Sequence, residues 1–276
     1  MKIYISVDME GMPGTFNWEH EKKDRSAVLA SMNRHLETAI TAITSSDKES
    51  EITEICIADS HGDCDNLSYE LSNLDSRVTM ISGAPRPEYM MPGFSSDFDL
   101  VFLLGYHAGT GALKGNMDHS YSNSRIQKIH INDMPMNEAL INAAYAGYHN
   151  VPVALVSGDL ALEKELSGRM PWIEYVRTKE GISKFSAKNY SQKRITNELA
   201  EKVRNALSKE NLPCFRIDSP INLKIELHST AMADQACLMP NVVRLDGKTI
   251  SYTENDFAVL LNALMAIITL AESVGI

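Results

Sequence analysis

The sequence predicts an α/β protein in which helices flank a mainly parallel sheet, with a second, smaller α+β lobe towards the C-terminal end. Short apolar, β-branched runs alternate with helical periodicities or long connections in the first part of the chain, which is typical of βαβ units. These runs end in glycine and polar residues, as strands do where they leave a sheet. Hairpin-like segments and single helices dominate the last part. We expect an α/β domain over residues 1–160 and the smaller lobe over residues 190–276, with the boundary between 160 and 190.

The first predicted strand runs from Ile3 to Val7 and leads into a loop with glycine and proline. Further apolar runs predict strands at residues 51–58, 77–82, 99–104 and 151–156. Apolar residues at helical spacing predict helices at residues 25–46, 138–148, 191–208, 230–238 and 254–273. The remaining segments are predicted as a long loop, two hairpins, an irregular stretch and a β-rich stretch, at residues 109–123, 125–136, 241–252, 168–188 and 215–227 respectively.

The composition is that of a soluble globular protein, with 44% apolar and 22% charged residues. A formal net charge of −10 argues against nucleic acid or an anionic membrane surface as a partner. No apolar leader precedes the first strand, and the longest uncharged stretch, Phe257 to Ala271, is too short to span a bilayer. The four cysteines show no C-x-x-C spacing. We therefore expect a reduced, cytoplasmic protein.

Two carboxylates, Asp8 and Glu10, follow the first strand directly. Residues two apart on an extended chain point to the same side, so both side chains are expected to face the space beyond the strand end. In open α/β sheets, ligands bind at this edge. Two carboxylates so close repel each other unless a cation, a proton or hydrogen-bond donors relieve them. The pair therefore indicates half of a metal site, or else an ordinary polar strand end.

Other predicted strands also end in residues that can bind a metal. His61 follows the second strand and His107 the fourth, so a shared parallel sheet would bring both to the edge occupied by Asp8. Glu138 begins a predicted helix and His119 lies in the long loop, and both can reach the same cleft. Each residue alone would ordinarily be a surface or helix-start residue, and the joint placement is what favours a metal site in the domain at 1–160. The other histidines are read as structural: His20, His35, His130, His149 and His228.

Two other functions remain open at this point. The segment Asp8-Met9-Glu10-Gly11 is close to the Asp-x-Asp-Gly motif of phosphatases with an aspartyl nucleophile, and Gly158-Asp159 can pass for their later acidic motif. This interpretation leaves the histidines without roles. A non-catalytic, metal-stabilised binding or assembly protein would need closed coordination and no use for His119.

Several motifs in succession resemble those of the D-aminopeptidase family of binuclear zinc peptidases, in the same order and at similar intervals. They are Ser6-Val7-Asp8-Met9-Glu10-Gly11, Ala58-Asp59-Ser60-His61, Leu104-Gly105-Tyr106-His107-Ala108, Met117-Asp118-His119-Ser120, and Ile131-Asn132-Asp133-Met134-Pro135-Met136-Asn137-Glu138. Similar residues at 142–148 and 238–240 extend the resemblance over nearly the whole chain. The set is far more specific than any one of its members.

The resemblance implies two zinc ions bound by five residues: Asp8, Glu10, His61, His107 and Glu138. Asp8 would bridge the ions, and His119 would be the catalytic residue, as acid and base or as nucleophile. The implied activity is removal of the N-terminal residue from short peptides or amino-acid amides, with D-residues as the expected substrates. The implied assembly is a homo-oligomer, and a ring enclosing the active sites is one form of it.

Two features adjust this expectation. Met12-Pro13 and Asp118 stand where the family usually has smaller residues, and both flank the site, so they bear on substrate fit more than on metal binding. Asp59 precedes His61 closely enough to orient its ring, although a turn-capping role is at least as well supported.

Overall fold

The computed structural model describes residues 1–275 and contains two β-sheets. The strands are β1 (Lys2–Val7), β2 (Glu54–Asp59), β3 (Val78–Ile81), β4 (Leu100–Tyr106), β5 (Ile126–Ile131), β6 (Met134–Pro135), β7 (Val153–Asp159), β8 (Glu174–Ser183), β9 (Ser186–Asn189), β10 (Ile221–Leu227), β11 (Val243–Arg244) and β12 (Thr249–Glu254). The helices are α1 (Trp18–Lys23), α2 (Arg25–Thr44), α3 (Glu138–Tyr148), α4 (Leu160–Ser167), α5 (Gln192–Ser208), α6 (Thr230–Ala236) and α7 (Phe257–Glu272).

The larger sheet has the strand order β3-β2-β1-β4-β7-β8-β9, and every neighbouring pair is parallel except β8 and β9. This confirms the predicted mainly parallel sheet. An interior strand, β1, pairs with β2 on one side and β4 on the other, so that Val7 lies opposite both Asp59 and Leu104. The three strands therefore end at one edge, and the residues that follow them emerge side by side.

Helices cover both faces of this sheet. On one face, α2 and α5 bury Met32, Leu36 and Leu199 against Ile5 and Phe102. On the other face, α3, α4 and α7 pack together with the second sheet. Burial on both faces explains why β1 and β4 are apolar at successive positions rather than alternating. No helix within residues 1–275 combines the length and apolar character needed to cross a membrane.

The second sheet is antiparallel, with the order β11-β12-β10-β5-β6. Its β5–β6 hairpin turns at Asn132 and Asp133, which both have positive φ. The hairpin matches the prediction for residues 125–136 and leads directly into α3. Strands from both sides of the 160–190 region thus contribute to this sheet, and the division of the chain into lobes at that region stays a prediction.

The prediction of an irregular segment at 168–188 was wrong, because β8 and β9 occupy much of it. The burial of β8 is not evident from its sequence, because Thr178 and Lys179 are fully buried although both are polar. The hydroxyl of Thr178 donates to the carbonyl oxygen of Gly11, and the ammonium of Lys179 donates to backbone carbonyls of the loop after β1. Hydrogen bonds to distant backbone replace the apolar pattern that would have revealed the strand.

Candidate metal centre

Close backbone packing fixes the loop that carries the first two carboxylates. The amide of Asp8 donates to the carbonyl oxygen of Leu104 at 2.8 Å, and that of Gly11 donates to Gly105 at 2.7 Å. A Cβ on Gly11 would lie 1.9 Å from the carbonyl oxygen of Tyr106. Gly105 has φ +76° and would place a Cβ 2.3 Å from the carbonyl oxygen of Asp8. The loop therefore needs glycine at both contacts, and this holds the end of β1 against the end of β4.

Six side chains in the described chain meet at this edge in two groups, in each of which the possible ligand atoms lie within 4.8 Å of one another. One group is Asp8, Glu10 and His61, and the other is His107, His119 and Glu138. Asp8 joins them: its Oδ1 lies 3.3 Å from Nδ1 of His61, and its Oδ2 lies 3.5 Å from Nε2 of His107. All six predicted site residues thus converge.

His61 is oriented from both of its ring nitrogens. Nδ1 lies 3.0 Å from Oε2 of Glu10, although the two are not aligned as a hydrogen bond. Nε2 lies 3.2 Å from Oε1 of Glu21 on α1. Asp59 does not contact the ring; its carboxylate accepts hydrogen bonds from the amides of Asn66 at 2.5 Å and Leu67 at 2.9 Å. Asp59 therefore holds the loop after β2, and Glu21 is the side chain that faces Nε2 of the imidazole.

Backbone carbonyls fix the other two histidine rings. Nδ1 of His107 lies 3.0 Å from the carbonyl oxygen of Ala108, and Nδ1 of His119 lies 2.9 Å from that of Met117. Each Nδ1–H donates to its carbonyl, so each Nε2 is left to face the site. Nε2 of His107 lies 3.5 Å from Oε1 of Glu138, which begins α3 and also accepts from the amide of Tyr121 at 2.5 Å.

The pKa values of the ionisable side chains in this buried cluster are strongly shifted. Burial and the neighbouring Glu10 carboxylate raise the pKa of Asp8 to about 7. Burial would raise the pKa of Glu10 as well, but the charge of His61 outweighs it and holds that pKa well below its usual value. Burial alone would lower the pKa of His107, and the carboxylates of Glu138 and Asp8 reverse this and raise it to about 10. The site therefore favours positive charge beside its carboxylates.

The donor set fits a divalent cation. Oδ2 of Asp8, Oε2 of Glu10 and Nε2 of His107 are buried atoms without a hydrogen-bond partner among the described residues. Buried polar atoms are normally satisfied, so three unpaired atoms distributed over the two groups call for a ligand. Mixed carboxylate and imidazole donors suit zinc and other divalent first-row metals.

Besides Glu21, two supporting residues were not predicted from the sequence. The indole Nε1 of Trp18 donates to Oε1 of Glu10 at 3.0 Å, and its ring meets that of His119 edge-on at 5.3 Å between centroids. Lys179 donates to the carbonyl oxygens of Glu10, Met12 and Thr15. Trp18 follows the glycine-containing loop closely enough to have been suspected, whereas Lys179 lies far away in sequence and carried no signal.

Asp159, which the phosphatase interpretation would need, has a structural role. It is fully buried and caps α4 by accepting from the amide of Leu162 at 2.9 Å, and it also accepts from the amide of Asn116 at 3.0 Å. His35 likewise lies outside the site, buried beside Ser157.

Comparisons with known proteins agree in both sequence and structure. A family model described as D-aminopeptidase matches residues 1–266. The chain is 31% identical to a D-aminopeptidase of Bacillus subtilis (strain 168), over 99% of this chain and 97% of that protein. It superposes on the Zn-dependent D-aminopeptidase DppA from Bacillus subtilis, a self-compartmentalizing protease, with a TM-score of 0.92, 29% identity and full coverage of both chains.

Proposed function

Because this chain belongs to the D-aminopeptidase family, we propose that it is a zinc-dependent aminopeptidase that removes the N-terminal residue of short peptides or amino-acid amides, with D-residues as preferred substrates. The observation that supports this most directly is the convergence of three carboxylates and three imidazoles at one buried sheet edge. Neither alternative accounts for it. A phosphatase would need Asp159 available in the active site, whereas its carboxylate caps α4. A metal site with only a structural role would have no use for His119 beside the five proposed ligands.

We propose that two zinc ions bind, with Asp8 bridging them. The first ion would be held by Asp8, Glu10 and His61, and the second by Asp8, His107 and Glu138. One carboxylate oxygen of Asp8 faces His61 and the other faces His107, and this supports the bridging role. Bound zinc would polarise the scissile carbonyl and lower the pKa of water towards neutrality.

His119 is the proposed acid and base. Burial and then the charge of His107 lower the pKa of His119, so its ring is neutral near pH 7. With Nδ1–H donating to Met117, the lone pair on Nε2 faces the site, 3.7 Å from Oε1 of Glu10. Nε2 can therefore take a proton from the attacking water and pass it to the leaving amine. Trp18 packs edge-on against this ring and excludes water from one side of it.

We also propose a homo-oligomer located in the cytoplasm. A structurally similar protein is self-compartmentalizing, and this chain exposes large apolar side chains, including Leu113 in the loop after β4 at 90% and Ile182 near the end of β8 at 63%. All four cysteines are free thiols, in keeping with a reducing compartment.

Paired D- and L-aminoacyl amides, assayed with chelator-treated and zinc-reloaded protein, test the proposal. We expect hydrolysis that zinc restores and that is faster for the D-series. Zinc-loaded protein inactive towards both series would contradict the aminopeptidase assignment. Phosphate release from a simple aryl phosphate in the same preparations would favour the phosphatase instead.

A further inference from the structure

We infer that Glu21 is a positioning residue that fixes the ring of His61 for the first metal position. This inference rests on the proposed function, since it concerns one of the proposed ligands. Glu21 lies on α1, a six-residue helix that has no buried residue. The sequence analysis did not identify Glu21 as a candidate site residue.

The geometry assigns different tasks to the two nitrogens of His61. Nδ1 faces Oδ1 of Asp8 at 3.3 Å and Oε2 of Glu10 at 3.0 Å. A cation shared with these carboxylates needs the lone pair of Nδ1, so the ring proton must sit on Nε2. Oε1 of Glu21, 3.2 Å away, is placed to accept that proton's hydrogen bond. A carboxylate that accepts from a metal-binding histidine fixes its tautomer and orientation and makes it a stronger donor.

The residues around Glu21 hold it in place and leave His61 closer to Oε1 than Arg25 is. The side chain of Asn17 caps the helix by accepting from the amide of Glu19 at 2.8 Å. Arg25 approaches Glu21 only to 3.7 Å and makes closer contacts with Asp65 and Asn66, at 2.8 Å and 2.9 Å. The side chain of Glu21 is only 13% exposed, so its contact with His61 is shielded from water.

The test is zinc affinity in the full-length protein carrying Glu21→Ala or Glu21→Gln, measured by competition with a chromophoric chelator. Glu19→Gln is the matched control, because Glu19 lies on the same helix with its side chain 65% exposed and 3.6 Å from Lys22. We expect Glu21→Ala to weaken the binding of one of the two zinc ions by about 10- to 100-fold and to leave the affinity for the other unchanged. Glu21→Gln should lose less zinc affinity, because its amide oxygen can still accept the hydrogen bond from His61.

A double-variant comparison separates positioning from mere stability. If Glu21 acts through His61, Glu21→Ala should have no further effect on zinc affinity in a His61→Ala background. The absorption spectrum of bound Co²⁺ provides a second readout, since Glu21→Ala should alter the bands of one ion only. Heat unfolding of Glu21→Ala should match that of Glu19→Gln.

The outcomes are distinct. Two zinc ions bound by Glu21→Ala with unchanged affinity would overturn the inference and leave the proposed function intact. An equal loss in the native and His61→Ala backgrounds would also overturn it. If the unmodified protein bound no zinc, the proposed function would fail and the inference with it. Should Glu21→Ala not fold, the same comparisons are made with Glu21→Leu, which has no acceptor for His61, and wild-type affinity with an unchanged Co²⁺ spectrum would then contradict positioning.

Discussion

The imidazole rings of His107 and His119 are stacked, with centroids 4.1 Å apart and planes inclined by 9°. Although they are neighbours, they differ in electrostatics. Carboxylates raise the pKa of His107 to about 10, while burial and the charge of His107 lower that of His119. Two stacked rings whose pKa values are shifted in opposite directions suit two tasks, one beside the carboxylates and one exchanging a proton.

The first prediction separates these tasks. His119→Ala should lower kcat by about 10²-fold or more, as is typical of a lost acid–base group, with zinc content nearly unchanged. His107→Ala should instead lose about one ion, with activity partly restored by excess zinc. Turnover and metal content are measured on the same preparation of each variant. Near-normal turnover of His119→Ala would contradict its catalytic role, and loss of zinc from that variant would make it a ligand.

The second prediction concerns the bridge. Because the two oxygens of Asp8 face different histidines, Asp8→Ala should weaken both ions, whereas His61→Ala should mainly weaken one. Metal analysis after dialysis against a graded series of free zinc concentrations measures this. Glu19→Gln serves as the control for the loss of a carboxylate charge outside the cluster. Equal and negligible effects of Asp8→Ala and His61→Ala would count against the ligand assignment.

The third prediction concerns stability against pH. Burial lowers the pKa of His35 from 6.5 to about 4. Above pH 6.5 the residue is neutral in both folded and unfolded chains, so it adds no pH dependence there. As the pH falls from 6.5 towards 4, the unfolded chain binds a proton that the folded chain does not, and stability is lost. Relative to His35→Gln, the wild-type free energy of unfolding should fall by about 3 kcal/mol across this window.

Urea unfolding of both proteins at several pH values between 7 and 4 provides the measurement. Comparing the two cancels the contribution of groups that titrate in both, including the site carboxylates. Parallel stability curves over the whole range would show that His35 is not kept neutral by folding.

The fourth prediction concerns the backbone contact between the loops after β1 and β4. A Cβ at position 11 would lie 1.9 Å from the carbonyl oxygen of Tyr106, so Gly11→Ala should force the two loops apart. We expect a loss of about 3 kcal/mol or more in the free energy of unfolding, together with weaker zinc binding. Gly168→Ala is the control, because nothing lies within 4 Å of a Cβ there. Equal stability of the two variants would contradict this account.

The sequence predicted the main sheet and the clustering of Asp8, Glu10, His61 and His107 because parallel strands bring their ends to one edge, whatever lies between them. His119 and Glu138 follow no strand of that sheet directly, and their place in the site was supported mainly by the resemblance to the D-aminopeptidase motifs. It could not predict Glu21, because α1 buries no residue and so shows no apolar periodicity. It misassigned β8 because Thr178 and Lys179 are buried through hydrogen bonds to distant backbone. Contacts of this kind depend on the three-dimensional arrangement and leave no local pattern.

The buried ammonium of Lys179 has a consequence for the order in which the molecule is made. It holds the carbonyl oxygens of residues 10, 12 and 15 from a strand that the ribosome delivers far later. The carboxylates at positions 8 and 10 are among the first side chains synthesised, yet Lys179 anchors their loop only when β8 has joined the sheet. A nascent chain that ends before residue 179 would thus carry every proposed ligand and still lack a rigid site. The backbone of the loop that carries Asp8 and Glu10 is in this way fixed by Lys179 only when the main sheet is nearly complete.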